Sequence, residues 1–171
     1  IAAKPAEGKS YEPWKLIAAT RLLEAVGQDE GIRAKVAPML KGAHSIVTNE
    51  SQSLESRLAA IQLIEQAAPK AEEDIKPLLS FLKLTTPVEL QVAIAKSVLR
   101  HEDTGAAPQV LAGWSEHGPA LRSAIIDSLL ARPKLTLFFM DSVTKNKELA
   151  TSIDVSRRQL LLNHESESIR K

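Results

Sequence analysis

Arg57-Leu58-Ala59-Ala60-Ile61 recurs in kind as Gln91-Val92-Ala93-Ile94-Ala95 and again as Arg122-Ser123-Ala124-Ile125-Ile126, each time with a long polar residue ahead of a small and aliphatic run. The starts are 34 and then 31 residues apart. That interval accommodates two helices and their turns, so the repeating unit is predicted to be a helical hairpin stacked on its neighbours. The 171 residues then suffice for one domain or about four to five such hairpins.

Working outward from the repeat, residues 1–9 are small, polar and punctuated by Pro5 and Gly8, which predicts a linker or a disordered N-terminus, with the single helical domain running over 10–171. Ser10 is the expected N-cap of a first helix. Pro13 falls in its first turn, Leu16, Ile17, Ala19, Leu22, Leu23 and Val26 form its apolar stripe, and Gly27 sits where a C-cap belongs. Residues 30–48 predict one kinked helix or two short ones around Pro38. Gln52 to Gln66 form an amphipathic helix, and Glu72-Glu73-Asp74 open another that is expected to carry Leu78, Leu79, Phe81 and Leu82. Thr86-Pro87-Val88-Glu89 fits a capping box with Pro87 as first helical residue. Further helices are expected to about Arg100 and over 106–116, 120–131, 134–145 and 154–163. Leu135 to Phe139 could be read as a strand, but it has no pairing partner and falls where a second hairpin helix is due. Leu58, Ile61, Val92, Ile125 and Leu129 are the expected core between hairpins.

With 44% hydrophobic and 25% charged residues, the composition is that of a chain that folds rather than of a disordered tail. The formal net charge is +1, with basic and acidic residues interspersed, so no field steers a polyanion to the surface and nucleic acid is not an expected partner. The aromatic residues Tyr11, Trp14, Phe81, Trp114, Phe138 and Phe139 are too few for base-stacking platforms. There is no cysteine, which removes disulfides, thiolate catalysis and cysteine-held zinc or haem. No apolar run approaches the roughly 18 residues that span a bilayer, so no membrane insertion of this segment is expected.

No catalytic, cofactor-binding or metal site is predicted. His44, His101, His117 and His164 lie far apart, form no ligand spacing, and fall near expected helix ends, where imidazolium suits the dipole. Glu72-Glu73-Asp74 lacks the glycine turn and ligand spacing of a calcium loop. Arg57, Gln91 and Arg122, with Arg157-Arg158 as a further member, could line a ligand face, but are better read as bonding loop carbonyls of the adjacent repeat. Trp114 shares a face with Val110 and Leu111, which favours core packing over a partner contact. Neither a GxSxG motif nor a glycine-rich phosphate loop is present.

From Leu54 onward, Arg57-Leu58-Ala59-Ala60, Pro87-Val88-Glu89-Leu90-Gln91-Val92-Ala93, Leu121-Arg122-Ser123-Ala124 and Asp154-Val155-Ser156-Arg157-Arg158-Gln159-Leu160-Leu161, with Asn163-His164 and Ile169-Arg170, resemble the HEAT-like helical segment of large secreted planctomycete and verrucomicrobial proteins described as membrane-bound dehydrogenases or haem-binding proteins. The resemblance implies an all-α solenoid of HEAT-like antiparallel hairpins, lying between a dehydrogenase-like propeller and a cytochrome c module with a CxxCH motif. It implies an extracytoplasmic location and transfers no catalytic residue. The expected role is a non-catalytic spacer or docking scaffold whose partners are those flanking domains, in a polypeptide that continues past Lys171. The alternative is an autonomous module that binds a protein or peptide. A HEAT-like nucleic-acid hydrolase ranks behind both, for want of phosphate grip and stacking surface.

Overall fold

The computed structural model describes residues 12–27, 29–67, 72–100 and 105–170. Ser10, the residues of the expected linker and His101 therefore lie outside the described residues. Among the described residues every regular element is helical: α1 (Pro13–Val26), α2 (Glu30–Thr48), α3 (Leu54–Ala67), α4 (Glu72–Leu79), α5 (Val88–Leu99), α6 (Ala106–Ala112), a 3-10 turn at Trp114–Glu116, α7 (Pro119–Leu130), α8 (Pro133–Lys145), α9 (Lys147–Thr151), α10 (Val155–Leu162) and α11 (Glu167–Arg170).

Local chemistry sets the boundaries. Pro13, Pro119 and Pro133 begin α1, α7 and α8, where the missing N–H costs nothing. Asp29, Asn146 and Asp154 cap α2, α9 and α10 by accepting from backbone N–H groups of the first turn. Gly27 ends α1 at φ 56°, a left-handed value that a side chain would strain. Pro38 is accommodated within a single continuous α2.

Alternate helices pack side by side. α1 lies on α3, α3 on α5 and α5 on α7, while α2 meets α4 and α4 meets α6 in a second row. Small residues allow the close approach: Ala43, Ala59, Ala60 and Ala95 are buried among Leu63, Ile64, Ile94, Val98 and Ile125. One contiguous apolar cluster runs from Leu16 to Ile169.

The fourth residue of a helix repeatedly reaches back to a carbonyl at the end of the preceding element. Arg57 Nε donates to Val47 O at 2.9 Å, Gln91 Nε2 to Lys83 O at 3.0 Å and Thr86 O at 2.7 Å, and Arg122 to Trp114 O at 3.1 Å and Ser115 O at 3.2 Å. The expected equivalence of these three residues holds: each is the fourth residue of its helix and bonds carbonyls shortly before it, in the last turn of α2, in the loop after α4 and in the 3-10 turn. Arg33 does the same to Gly27 O, Thr136 to Leu129 O, Arg158 to Ile153 O and Arg170 to His164 O. Helix ends leave carbonyls without intrahelical partners, and a cation there also suits the dipole.

Several expectations are corrected. Thr86 does not form a capping box: Pro87 occupies the N-cap with no side-chain hydrogen bond, α5 begins at Val88, and Gln91 holds the Thr86 carbonyl instead. Phe81 and Leu82 lie past the end of α4, in a tightened turn where each N–H bonds the carbonyl three residues back, just beyond Pro77. Leu58 and Val92 are only half-buried, whereas Ile61, Ile125 and Leu129 are fully buried. Leu22 leaves the expected stripe of α1 and stands exposed.

Ile125→Ala is expected to lower stability by about 2 to 5 kcal/mol, because the cavity adds to the lost burial, while exposed Gln62→Ala changes it by less than about 0.5 kcal/mol. Arg57→Leu is expected to cost about 1 to 3 kcal/mol, since it strips the donor from a buried carbonyl. Denaturant titration of the three variants checks these values, and an unchanged midpoint for Arg57→Leu would show that Val47 O does not need its partner.

Candidate docking surfaces

The polar residues that recur along the chain are occupied within it. Besides the reach-back bonds, arginines also tie helices that lie further apart in sequence: Arg33 to Ala67 O at 2.9 Å, Arg100 to the Glu65 carboxylate, Arg132 to Leu99 O at 3.4 Å, and Arg157 to Ser123 Oγ at 2.6 Å. These pairs are 33 to 35 residues apart, so the period of the sequence reappears as the spacing of contacts in space. Arg157 also holds Asp127 and Asp154, and those two carboxylates, overcoming the effect of burial, raise its pKa further. Asp154 is pushed below the usual carboxylate range, first by the N–H of Arg157 that it caps and then by the guanidinium.

Arg57 and Arg122 additionally lie over aromatic rings, 5.5 Å from the centroid of Phe81 and 5.3 Å from that of Trp114. None of these side chains is left to line a ligand face. Trp114 is buried with Val110 and Leu111, as its spacing predicts.

The histidines do not converge. His44 sits within the last turns of α2, His164 follows α10 with its Nδ1 accepting from Ser166 N, and His117 is buried beside Trp114. Among the described residues no group of three or more His, Asp or Glu is placed to hold a metal ion. The side chains of Glu72, Glu73 and Asp74 lie outside the described residues.

Large apolar side chains stand exposed at several places, singly at Leu54, Leu84, Val88 and Leu137 and in groups on α1 and α10. α1 buries Leu16, Ala19 and Leu23 and turns Trp14, Ala18 and Leu22, spaced by four residues along one face, toward solvent. Trp14 is 62% exposed, yet it is held: its indole N–H donates to Glu12 at 3.2 Å, Lys15 lies 5.3 Å from the ring centroid, and Lys15 and Glu12 pair at 2.9 Å. That pairing lowers the Glu12 pKa, chiefly through the Lys15 hydrogen bond. An aromatic ring fixed in an exposed position needs little ordering when a partner arrives. In the second group, α10 buries Leu161 and exposes Val155, Leu160 and Leu162, the first by 77%.

No family model, curated protein or solved structure matches the chain. Among the described residues no helix is long and apolar enough to cross a membrane.

The pattern at Arg57, Gln91 and Arg122 was readable from spacing. The exposed surfaces of α1 and α10 were not singled out: Leu22 is indistinguishable by periodicity from the core residues beside it, and Trp14 carries no motif.

Trp14→Ala is expected to leave the unfolding midpoint nearly unchanged while removing the quencher-accessible part of the tryptophan emission, because Trp114 is shielded. Acrylamide quenching of both proteins checks this, and a large loss of stability would mean that Trp14 is packed rather than displayed.

Proposed function

We propose that the chain is an α-solenoid of HEAT-like antiparallel hairpins, with α1 against α2, α5 against α6, α7 against α8 and α10 against α11. Its function is to act as a non-catalytic spacer or docking scaffold within a larger extracytoplasmic redox protein. It holds a dehydrogenase-like domain and a cytochrome-like domain at a set separation and itself carries no cofactor.

The observation that carries this reading is the commitment of the recurring polar side chains to internal carbonyls and carboxylates, which ties the helices to one another, while grouped apolar side chains stand exposed on α1 (Trp14, Leu22) and α10 (Val155, Leu162). A body tied together in this way suits a part that spaces or docks other domains. The resemblance from Leu54 onward supplies the identity of the flanking domains.

The second reading, an autonomous module for a protein or peptide, draws on the same surfaces, since a rigidly held Trp14 is also a suitable hot spot for an external partner. Two measurements separate the readings. In the parent polypeptide, Trp14 is expected to lose its quencher accessibility relative to the isolated segment, and a CxxCH motif is expected in the reading frame after Lys171. A frame without that motif, together with a Trp14 that stays accessible in the parent protein, would overturn the spacer reading in favour of the autonomous module.

A further inference from the structure

The corner between α6 and α7 contains a histidine in an unusual situation. The imidazole of His117 is buried, folded back over Gly113, whose absent Cβ would lie 3.1 Å from Cε1. Its Nε2 lies 2.9 Å from the Val110 carbonyl, which can only accept, so Nε2 carries the proton and Nδ1 presents a lone pair. Nδ1 is buried without a hydrogen-bond partner, as is the indole Nε1 of Trp114. The two rings meet edge to face with centroids 6.3 Å apart, and the Arg122 guanidinium lies over the same indole.

We propose that His117 is a proton-operated latch: protonation of Nδ1 expels the imidazole from this corner and releases the connection through which α7 is tied to the 3-10 turn Trp114–Glu116. A second N–H on the ring would be a buried cation with no acceptor, beside an indole N–H that is itself a donor without one. It would also share Trp114 with Arg122, so two cations would flank one ring. Movement of the turn carries away Trp114 O and Ser115 O, the acceptors of Arg122, and thereby breaks the reach-back bond of α7.

The surrounding charges favour this direction. α6 carries no ionisable residue. On α7 the facing charge is Arg122, which opposes protonation, and on the 3-10 turn Glu116 favours it, as does the Val110 carbonyl. The described ionisable residues of α4 and α5, the helices that contact α6, are Lys76, Glu89 and Lys96, all exposed. Burial outweighs the favourable contributions, and the pKa of His117 is depressed below the ordinary value of 6.5. The closed corner is thus fully favoured above about pH 6.5 and loses that advantage as pH falls through the depressed value, because only the expelled ring accepts a proton readily.

The test uses the full chain carrying Trp14→Phe, so that Trp114 alone emits, followed from about pH 8 to about pH 5. The His117 Cε1 proton is read by NMR, with the other histidines as internal references, alongside Trp114 emission and the exchange protection of amides 114–122. The expected result is a His117 midpoint below 6.5 accompanied by a red shift of Trp114. Protection in the corner should fall by up to about tenfold per pH unit between 6.5 and that midpoint and level off below it, while amides in the core of α3 keep theirs. The transition should be missing in His117→Phe. The proposal is overturned by a midpoint at or above 6.5, by His117 titrating while Trp114 stays unchanged, or by a transition that survives in His117→Phe. Should His117→Phe fail to fold, the paired readings on the chain that keeps His117 decide the question.

Discussion

An α-helix ends with carbonyls that its own hydrogen-bond pattern cannot satisfy, and a stack of short helices multiplies those ends. In this chain one device answers the problem again and again: the fourth residue of the following helix folds back and donates to them. Arg57, Gln91 and Arg122 do so with long polar heads, and Thr136 with a short hydroxyl, because Leu129 O lies nearer its own helix. Each such bond fixes where one helix starts relative to where the last one stopped, so it sets the angle and height at which the aliphatic run that follows enters the core. The alanines at Ala59, Ala60, Ala95 and Ala124 are useful only if that height is right, since close helix approach depends on small residues meeting across the contact.

The second device acts between helices further apart in sequence. Arg33, Arg100, Arg132 and Arg157 each cross to a residue 33 to 35 positions away, and their acceptors are mostly backbone carbonyls or part-buried groups rather than freely solvated carboxylates. Such bonds keep more of their strength than solvent-exposed ion pairs do. A cluster of apolar side chains shared from Leu16 to Ile169 then gives neighbouring helices a common core. Both tie each helix of the row to its neighbours.

The repeat was legible because the reach-back device needs a long donor at one fixed place before a small and aliphatic run, and that leaves a period in the chain. Arg100 and Arg132 leave no comparable trace, since one follows α5 and the other precedes α8, and only the three-dimensional packing brings their partners near. The pattern Thr86-Pro87-Val88-Glu89 does not close a capping box because the Thr86 N–H that Glu89 would take is bonded to Lys83 O and α5 starts one residue later than the pattern implies. Likewise, Leu58 and Val92 look like core residues by hydropathy, but the phase of each helix is set by its alanine face, which turns them halfway out. α9 has only five residues and one visible signal, the Asn146 cap, so periodicity could not reveal it. Of the candidate surfaces, the chain gave notice only of what is internally used. Exposure of Trp14 and Val155 depends on how α1 and α10 pack against the other helices, which the periodicity of either helix does not reveal.

The central claim is that the exposed surfaces on α1 and α10 are held at a set separation by a body that does not flex. Because the chain contains no cysteine, Arg21→Cys and Gln159→Cys place a unique pair of spin labels on exposed positions of α1 and α10. Pulsed dipolar spectroscopy of the doubly labelled chain should yield one narrow distance distribution, unchanged by modest additions of denaturant below the unfolding transition. A broad or bimodal distribution under native conditions would contradict the account, since it would mean that the reach-back bonds and those between more distant helices do not hold the row as one body.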